Sequence, residues 1–249
     1  MRQRTGQTRD NEPPKSPTDF VAFRRVAFGR TKSGKIGPNP MDVKAHWDAI
    51  YSSKAPDQVS WYRPHLEKSL ALIERADRCH AASIIDVGGG ESTLVDDLLA
   101  RRYEYITVLD VSQTAIDVTK KRLKEAAVRV HWIVGDVTKV MFETNAYDVW
   151  HDRAVFHFLT TNEQRAAYVE RVAHAVRTGG HVIVGTFGSE GPTRCSGLDV
   201  MRYDAESLHN EFGTRFRLVE SSNELHETPF GTKQQFLYCY CRIDPRNQP

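Results

Sequence analysis

Three carboxylates in this chain stand where short apolar runs end, and each is placed to do chemistry. Asp86 lies within Ser83-Ile-Ile-Asp-Val-Gly-Gly-Gly-Glu-Ser-Thr93, an apolar run that feeds a glycine turn and then a helical pattern. Glycines there let the backbone approach a ligand closely, with the N–H groups of the next helix pointing toward it. An acid two residues ahead of the turn suits a ligand with a positive amine better than a pyrophosphate. The second acid, Asp110, closes the next apolar run at Val108-Leu109-Asp110, where a carboxylate can accept from both hydroxyls of a ribose. The third is in Gly135-Asp136-Val137, where a side chain could meet an adenine amino group. Together they point to an adenosine-type ligand without choosing among such ligands.

These acids must be positioned by alternating strands and helices. Apolar runs at 83–87, 105–109, 129–134, 147–150 and 181–187 alternate with longer stretches of helical spacing. That alternation predicts an α/β fold, a parallel sheet with helices on both faces. Ser112 is the predicted N-cap of a helix over 112–126, with Lys120, Lys121, Arg122 and Lys124 toward its negative end. Another helix opens on the capping-box spacing Thr161-Asn-Glu-Gln164 and is expected to close at Gly179-Gly180. A helix near 204–212 and the runs 216–221 and 234–243 end the chain, the two runs spaced as an antiparallel hairpin. Upstream, Val43, Trp47, Ile50 and Tyr51 share one helix face.

The order Asp86-Val-Gly-Gly-Gly90, Asp110, Gly135-Asp136, Tyr147-Asp-Val-Trp150 and Arg177-Thr-Gly-Gly180 resembles the class I S-adenosylmethionine-dependent methyltransferases over residues 43–243. The resemblance implies a Rossmann-like seven-stranded sheet ordered 3-2-1-4-5-7-6 with strand 7 antiparallel. It implies S-adenosylmethionine as cofactor, with Gly88, Gly89 and Gly90 against its methionine part and Asp86 near its amino group. Asp110 would hold the ribose, and Asp136 with Val137 the adenine, with Val111 also against the cofactor. Ser92 stands where the family often has a third glycine. His46-Trp-Asp-Ala-Ile-Tyr51 and Val59-Ser-Trp-Tyr-Arg-Pro64 are similar to the W-D-x-x-Y and W-Y segments of methyltransferases grouped with protein-lysine methyltransferases. Trp47 and Trp61 could lid the cofactor there, a ring face being favourable to a sulfonium.

In the family, the segment after the fourth strand lies beside the transferable methyl. Here it reads Trp150-His-Asp-Arg-Ala-Val-Phe-His157, so His151, Asp152 and His157 are the candidates to steer or deprotonate a nucleophile. Tyr62, Arg153 and Cys195 are the candidates to line a substrate pocket. The segment is not the N-P-P-Y type motif of enzymes that grip a base or amide nitrogen. The expected reaction is in-line transfer of a methyl group to a small molecule or a protein side chain.

Composition bounds these readings. The chain has 249 residues, 40% hydrophobic and 27% charged, enough for one substantial core. No apolar stretch has membrane-spanning length, and no membrane partner is expected. The net charge of +2 conceals a split, since residues 1–40 hold nine Lys and Arg against three acids. With six prolines and glycines between Pro13 and Gly37, this basic segment is expected to be a disordered arm, leaving 41–249 as a single methyltransferase domain. Four scattered cysteines lack a ligand-like spacing, so no metal is expected, and a reducing cytoplasm suits them. A monomer or dimer is expected. Two rival readings stay open: a Rossmann-type NAD-dependent oxidoreductase, and a non-catalytic module that binds nucleic acid or a partner through the arm. Thr93 in place of the third glycine of G-x-G-x-x-G counts against the first. The acidic balance of the remainder confines the second to the arm, and nucleic acid is not an expected partner.

Overall fold

The computed structural model describes residues 42–245, and the expected disordered arm lies outside them. Apart from a short antiparallel pair, Arg194–Cys195 with Leu198–Asp199, the strands are those of the main sheet: β1 (Ser83–Val87), β2 (Tyr105–Asp110), β3 (Val130–Val134), β4 (Tyr147–Arg153), β5 (Val176–Phe187), β6 (Phe216–Glu227) and β7 (Lys233–Ile243). They form one sheet in the order β3-β2-β1-β4-β5-β7-β6. The first five run parallel, and β7 is antiparallel to both β5 and β6. The expected sheet order and its antiparallel strand are thus present.

Among the described residues, six α-helices surround this sheet: α1 (Val43–Ser53), α2 (Glu67–Ala76), α3 (Leu94–Ala100), α4 (Gln113–Leu123), α5 (Asn162–Ala175) and α6 (Ala205–Phe212). Successive residues of a strand point to opposite faces, and the two cores follow from that period. Ile85, Val87, Trp150, Val182 and Val184 are buried with Tyr168 and Val172 of α5 and Leu208 and Phe212 of α6. Ile84, Val149 and Ile183 go to the other face, against Leu70 and Ile73 of α2 and Leu94, Val95 and Leu98 of α3. Because both faces are covered, the loops at the carboxyl ends of the strands are left to form a site. No described helix is long and apolar enough to cross a membrane.

Ser112 caps α4 as expected, its hydroxyl accepting from Ala115 N, and Thr161 with Gln164 forms the expected capping box of α5. Two boundaries differ from the sequence reading. Helix α4 stops at Leu123, because Lys124 turns to φ +51°. Helix α5 stops at Ala175, short of Gly179-Gly180. Val176 is fully buried and already pairs with Tyr147, whereas the next register partners are Val149 and His181. Residues 177–180 therefore form a bulge within β5. Gly179 supplies φ +80°, and a Cβ on Gly180 would crowd the carbonyls of Arg177 and Asp148. The paired glycines serve a strand irregularity where a helix end was expected.

Candidate functional site

Glycine is required at the first turn residue after β1. Gly88 has φ +70°, and a Cβ there would collide with Val155 Cγ2. Its N–H donates to Leu109 O at 2.7 Å, tying the turn to the end of β2. Asp110, the last residue of β2, accepts from Gly90 N at 3.0 Å and from Ser112 N at 2.8 Å, one bond to each oxygen. A carboxylate has about four acceptor positions, so two remain. Burial pushes the Asp110 carboxyl up to about 6, with Asp86 and Asp48 adding to the rise and the two backbone bonds opposing it.

Around this turn lies an open cleft of about 1010 Å³ at the carboxyl ends of the strands. One wall carries Gly88, Asp110, Val111, Asp136 and Val137, all expected from sequence to meet a cofactor. Asp136 turns its own loop: Oδ1 accepts from Thr138 N at 3.0 Å and from Thr138 Oγ1 at 2.7 Å, and Oδ2 lies 3.0 Å from Lys139 Nζ. Partial burial raises its carboxyl, but these contacts outweigh that and hold it below the usual range.

The facing wall is aromatic. Trp47 lies 5.8 Å from Trp61 and 5.2 Å from Phe158 between ring centroids, both pairs edge to face, and Tyr51 lies 5.8 Å from Trp47. Helix α1 carries Trp47 and Tyr51 but contains no buried residue, so it covers the cleft without entering a core. Its Asp48 accepts from Ser112 Oγ at 2.6 Å, fastening α1 to the start of α4 beside Asp110. Trp61 is held from behind, where Arg153 Nη1 donates to its carbonyl at 3.1 Å and His226 Nε2 meets the carbonyl of Ser60 at 2.7 Å. Arg153 and Cys195 line this cleft, and burial raises the Cys195 thiol.

A smaller cavity of about 500 Å³ adjoins the cleft, sharing Tyr51, Trp61, Gly88 and Arg153 with it. Asp86, Gly89 and Tyr62 line this cavity and not the cleft. Gly90 lines neither, its Cα packed against Asp110 and Ala115. Asp86 is anchored in a buried chain across four elements. Its Oδ1 meets His151 Nδ1 at 2.7 Å, His151 Nε2 meets Ser69 Oγ at 2.9 Å, and Ser69 Oγ meets Tyr238 OH at 3.1 Å.

Of the three residues expected to handle a nucleophile, His151 and Asp152 are taken up by the fold, and His157 is buried with Nδ1 bonded and Nε2 without a hydrogen-bond partner. His151 is 1% exposed, reaches only the smaller cavity, and has both ring nitrogens engaged. Asp152 and His157 are fully buried and line neither cavity. Asp152 accepts from Val155 N, Phe156 N and Tyr168 OH at 2.9, 3.1 and 2.7 Å, which caps the turn after β4. His157 Nδ1 accepts from Phe187 N at 3.2 Å, and burial pushes its pKa down to about 3. An isolated segment with two histidines and an acid looks catalytic. Only the packing shows that the turn needs those groups for itself.

Sequence reasoning marked Tyr51 only through the W-D-x-x-Y resemblance and passed over Phe158 and Glu91 as site residues. Phe158 carried no motif. Glu91 follows the glycine run directly, is 5% exposed, and has no hydrogen-bond partner on either carboxylate oxygen.

A family model described as a methyltransferase domain matches residues 84–180, the stretch from β1 into β5 that holds the glycine turn and all three acids. Human EEF1A lysine methyltransferase 2 is 22% identical over 200 residues, covering 74% of this chain and 78% of its own length. The zebrafish (Danio rerio) protein of the same name is 22% identical over 168 residues, covering 62% and 72%. Among solved structures, one from echinomycin biosynthesis, where a disulfide bond is converted into a thioacetal group, superposes with a TM-score of 0.66 at 17% identity, covering 82% of this chain and 94% of its own. The N-methyltransferase NodS of Bradyrhizobium japonicum WM9, in complex with S-adenosyl-L-homocysteine, superposes at 0.60 and 15% identity, covering 80% and 100%. At such identities the structural likeness speaks for the fold.

Proposed function

We propose that this chain, a class I S-adenosylmethionine-dependent methyltransferase, methylates the side-chain nitrogen of a lysine on a protein substrate. The observation that carries the reading is the cleft itself, with a buried acid at the end of β2 on one side and four aromatic rings on the other. When bound, S-adenosylmethionine supplies an electrophilic methyl group on a positively charged sulfur.

The residues present fit that cofactor. Asp110 retains two acceptor positions for a ribose, the backbone of Gly88 lines the cleft, and the ring faces of Trp47, Tyr51 and Trp61 suit a sulfonium. Val111, Asp136 and Val137 would flank the adenine, and Asp86, Gly88 and Gly89 the methionine end. On the acceptor side, Phe158, Leu159, Cys195 and Leu198 line the cleft, a wall suited to an aliphatic stem. Apolar surroundings disfavour an ammonium and lower its pKa, so desolvation can deliver a neutral amine without a dedicated base. We assign His151, Asp152 and His157 to holding the turn and Asp86, because neither Asp152 nor His157 reaches the cavities. Alignment of the nucleophile then carries the rate, an effect worth ~7–11 kcal/mol in favourable cases.

The lysine assignment draws on the curated relatives, three proteins named lysine methyltransferases. The four free cysteines suit a reducing cytoplasm, where such a substrate would be met. The test supplies methyl-labelled S-adenosylmethionine with fractionated lysate and, separately, a metabolite pool. The expected outcome is alkali-stable label in protein, mapped to lysine by mass spectrometry. Label confined to the metabolite pool, or released by alkali as an ester would be, overturns the assignment. Stabilisation of the protein by NAD and not by S-adenosylhomocysteine overturns the methyltransferase reading with it.

A further inference from the structure

The loop between α1 and α2 carries no strand, yet three of its carbonyls are held by side chains from distant parts of the fold. That of Ser60 meets His226 Nε2 at 2.7 Å, that of Trp61 accepts from Arg153 Nη1 at 3.1 Å, and that of Arg63 accepts from Thr93 Oγ1 at 3.0 Å. A carbonyl only accepts, so the proton of the His226 ring is on Nε2. The edge strand β6 supplies both His226 and the acid behind Arg153. Glu224 and His226 are two residues apart and share a face of the strand, while Leu225 between them is 62% exposed. Because β7 is antiparallel to both β5 and β6, the end of β6 lies with the carboxyl ends of the parallel strands, beside the loop.

Glu224 is the carboxylate between two guanidiniums. Its Oε1 accepts from Arg63 Nη1 at 3.2 Å, and its Oε2 lies 3.8 Å from Arg153 Nη2. The Arg153 side chain is 5% exposed and its guanidinium lies 4.1 Å from the centroid of the Phe236 ring, so its buried charge depends on this acid. A guanidinium is a rigid fork, and fixing one arm of it fixes the arm that grips the Trp61 carbonyl.

We propose that Glu224 and His226 are positioning residues for methyl transfer, Glu224 through Arg153 and Arg63 and His226 through Ser60, which together fix the ring of Trp61 where the two cavities meet. The inference rests on the methyltransferase reading, in which that ring faces the sulfonium. Attraction between a cation and a ring requires the cation to lie over the ring face, so a loop free to shift loses the preference for a charged sulfur. The two residues stand 161 and 166 positions along the chain from the loop residues they hold, and no motif marks them.

The readout is the ratio of affinities, by titration calorimetry, for S-adenosylmethionine, whose sulfur is charged, and S-adenosylhomocysteine, whose sulfur is not. In Glu224→Gln, which keeps the shape and drops the charge, S-adenosylmethionine should lose about threefold or more relative to S-adenosylhomocysteine. His226→Phe, which fills the space and removes the donor to Ser60, should shift the ratio in the same direction. In a Trp61→Ala background either substitution should leave the ratio within about twofold, because the ring it acts through is gone. Glu224→Asp, one methylene too short to span both arginines, should act as the glutamine variant does and serves if that variant does not fold. Equal losses for both cofactors, no loss for either, or a shift in ratio that persists without Trp61 overturn the role of the residue tested. If the wild-type protein binds neither cofactor, the underlying reading fails instead.

Discussion

Replacing Asp110 with Asn, which keeps only one of the two oxygens that accept from Gly90 N and Ser112 N, should remove a pH-dependent cost from the fold and weaken cofactor binding, and the two effects should part company with pH. Asp110 is 4% exposed at the end of β2, and burial raises its carboxyl from 3.8 to about 6. A rise of about 2 units, at ~1.36 kcal/mol each, means that the ionised group costs the folded state about 3 kcal/mol. The sign follows from linkage. Because the folded pKa exceeds the unfolded one, the fold carries the whole cost above about pH 6 and sheds it as pH falls toward 3.8. Asparagine does not titrate, so the stability of Asp110→Asn relative to wild type should rise by about 3 kcal/mol between pH 4 and pH 8. Comparing two curves cancels the other buried groups, Glu91 included. Binding runs the other way. Two hydroxyl bonds to the remaining acceptor positions, at ~1.5–3 kcal/mol each for a charged acceptor, predict at least about a hundredfold weaker S-adenosylhomocysteine binding at pH 8. Wild-type affinity should itself fall as pH drops through about 6. Urea unfolding from pH 4 to 8 and calorimetric titration at both ends measure both quantities. A relative stability that does not change between pH 4 and pH 8, together with unchanged affinity, would refute the reasoning, reducing Asp110 to a cap for Gly90 and Ser112.

Other consequences are open to measurement. Trp61→Ala should weaken S-adenosylmethionine more than S-adenosylhomocysteine, by about tenfold or more, because only the former presents a positive sulfur to the ring; equal losses would indicate simple packing. His157 and His226 are held neutral by burial, down to about 3 and 4, so their stabilisation is full above ~6.5 and declines as pH falls below it. His157→Asn, which keeps an acceptor for Phe187 N, should flatten the acid side of the stability curve by about 1 kcal/mol per pH unit, read from denaturant midpoints. Deleting residues 1–40 should leave S-adenosylhomocysteine affinity and methyl transfer within about twofold of the full chain, whereas a salt-dependent loss of substrate binding would give the arm a function.

The parts of this site that depend on chain-local chemistry were legible before any folding was considered. Alternation of apolar runs with helical spacing specified a covered parallel sheet, and Ser112 and Thr161 marked helix starts, because a cap is satisfied within a few residues of itself. Asp110, Gly88 and Asp136 announced themselves as an acid or glycine at a strand end, and a strand end is set by the local pattern. What sequence could not determine was which of these groups would still have bonding capacity after folding. His151 and Asp152 lie near the chemistry in sequence, yet the tertiary structure engages them on Asp86 and Ser69 and on the turn after β4, and it buries His157 with one ring nitrogen on Phe187. Glu91 went the other way, an unremarkable acid that folding buried without a partner. Likewise the wall of the cleft draws Tyr51, Trp61, Phe158 and Cys195 from four separate segments. Hydrogen-bond capacity is finite and shared among groups distant in sequence, so its remainder is a property of the packed molecule and not of any motif.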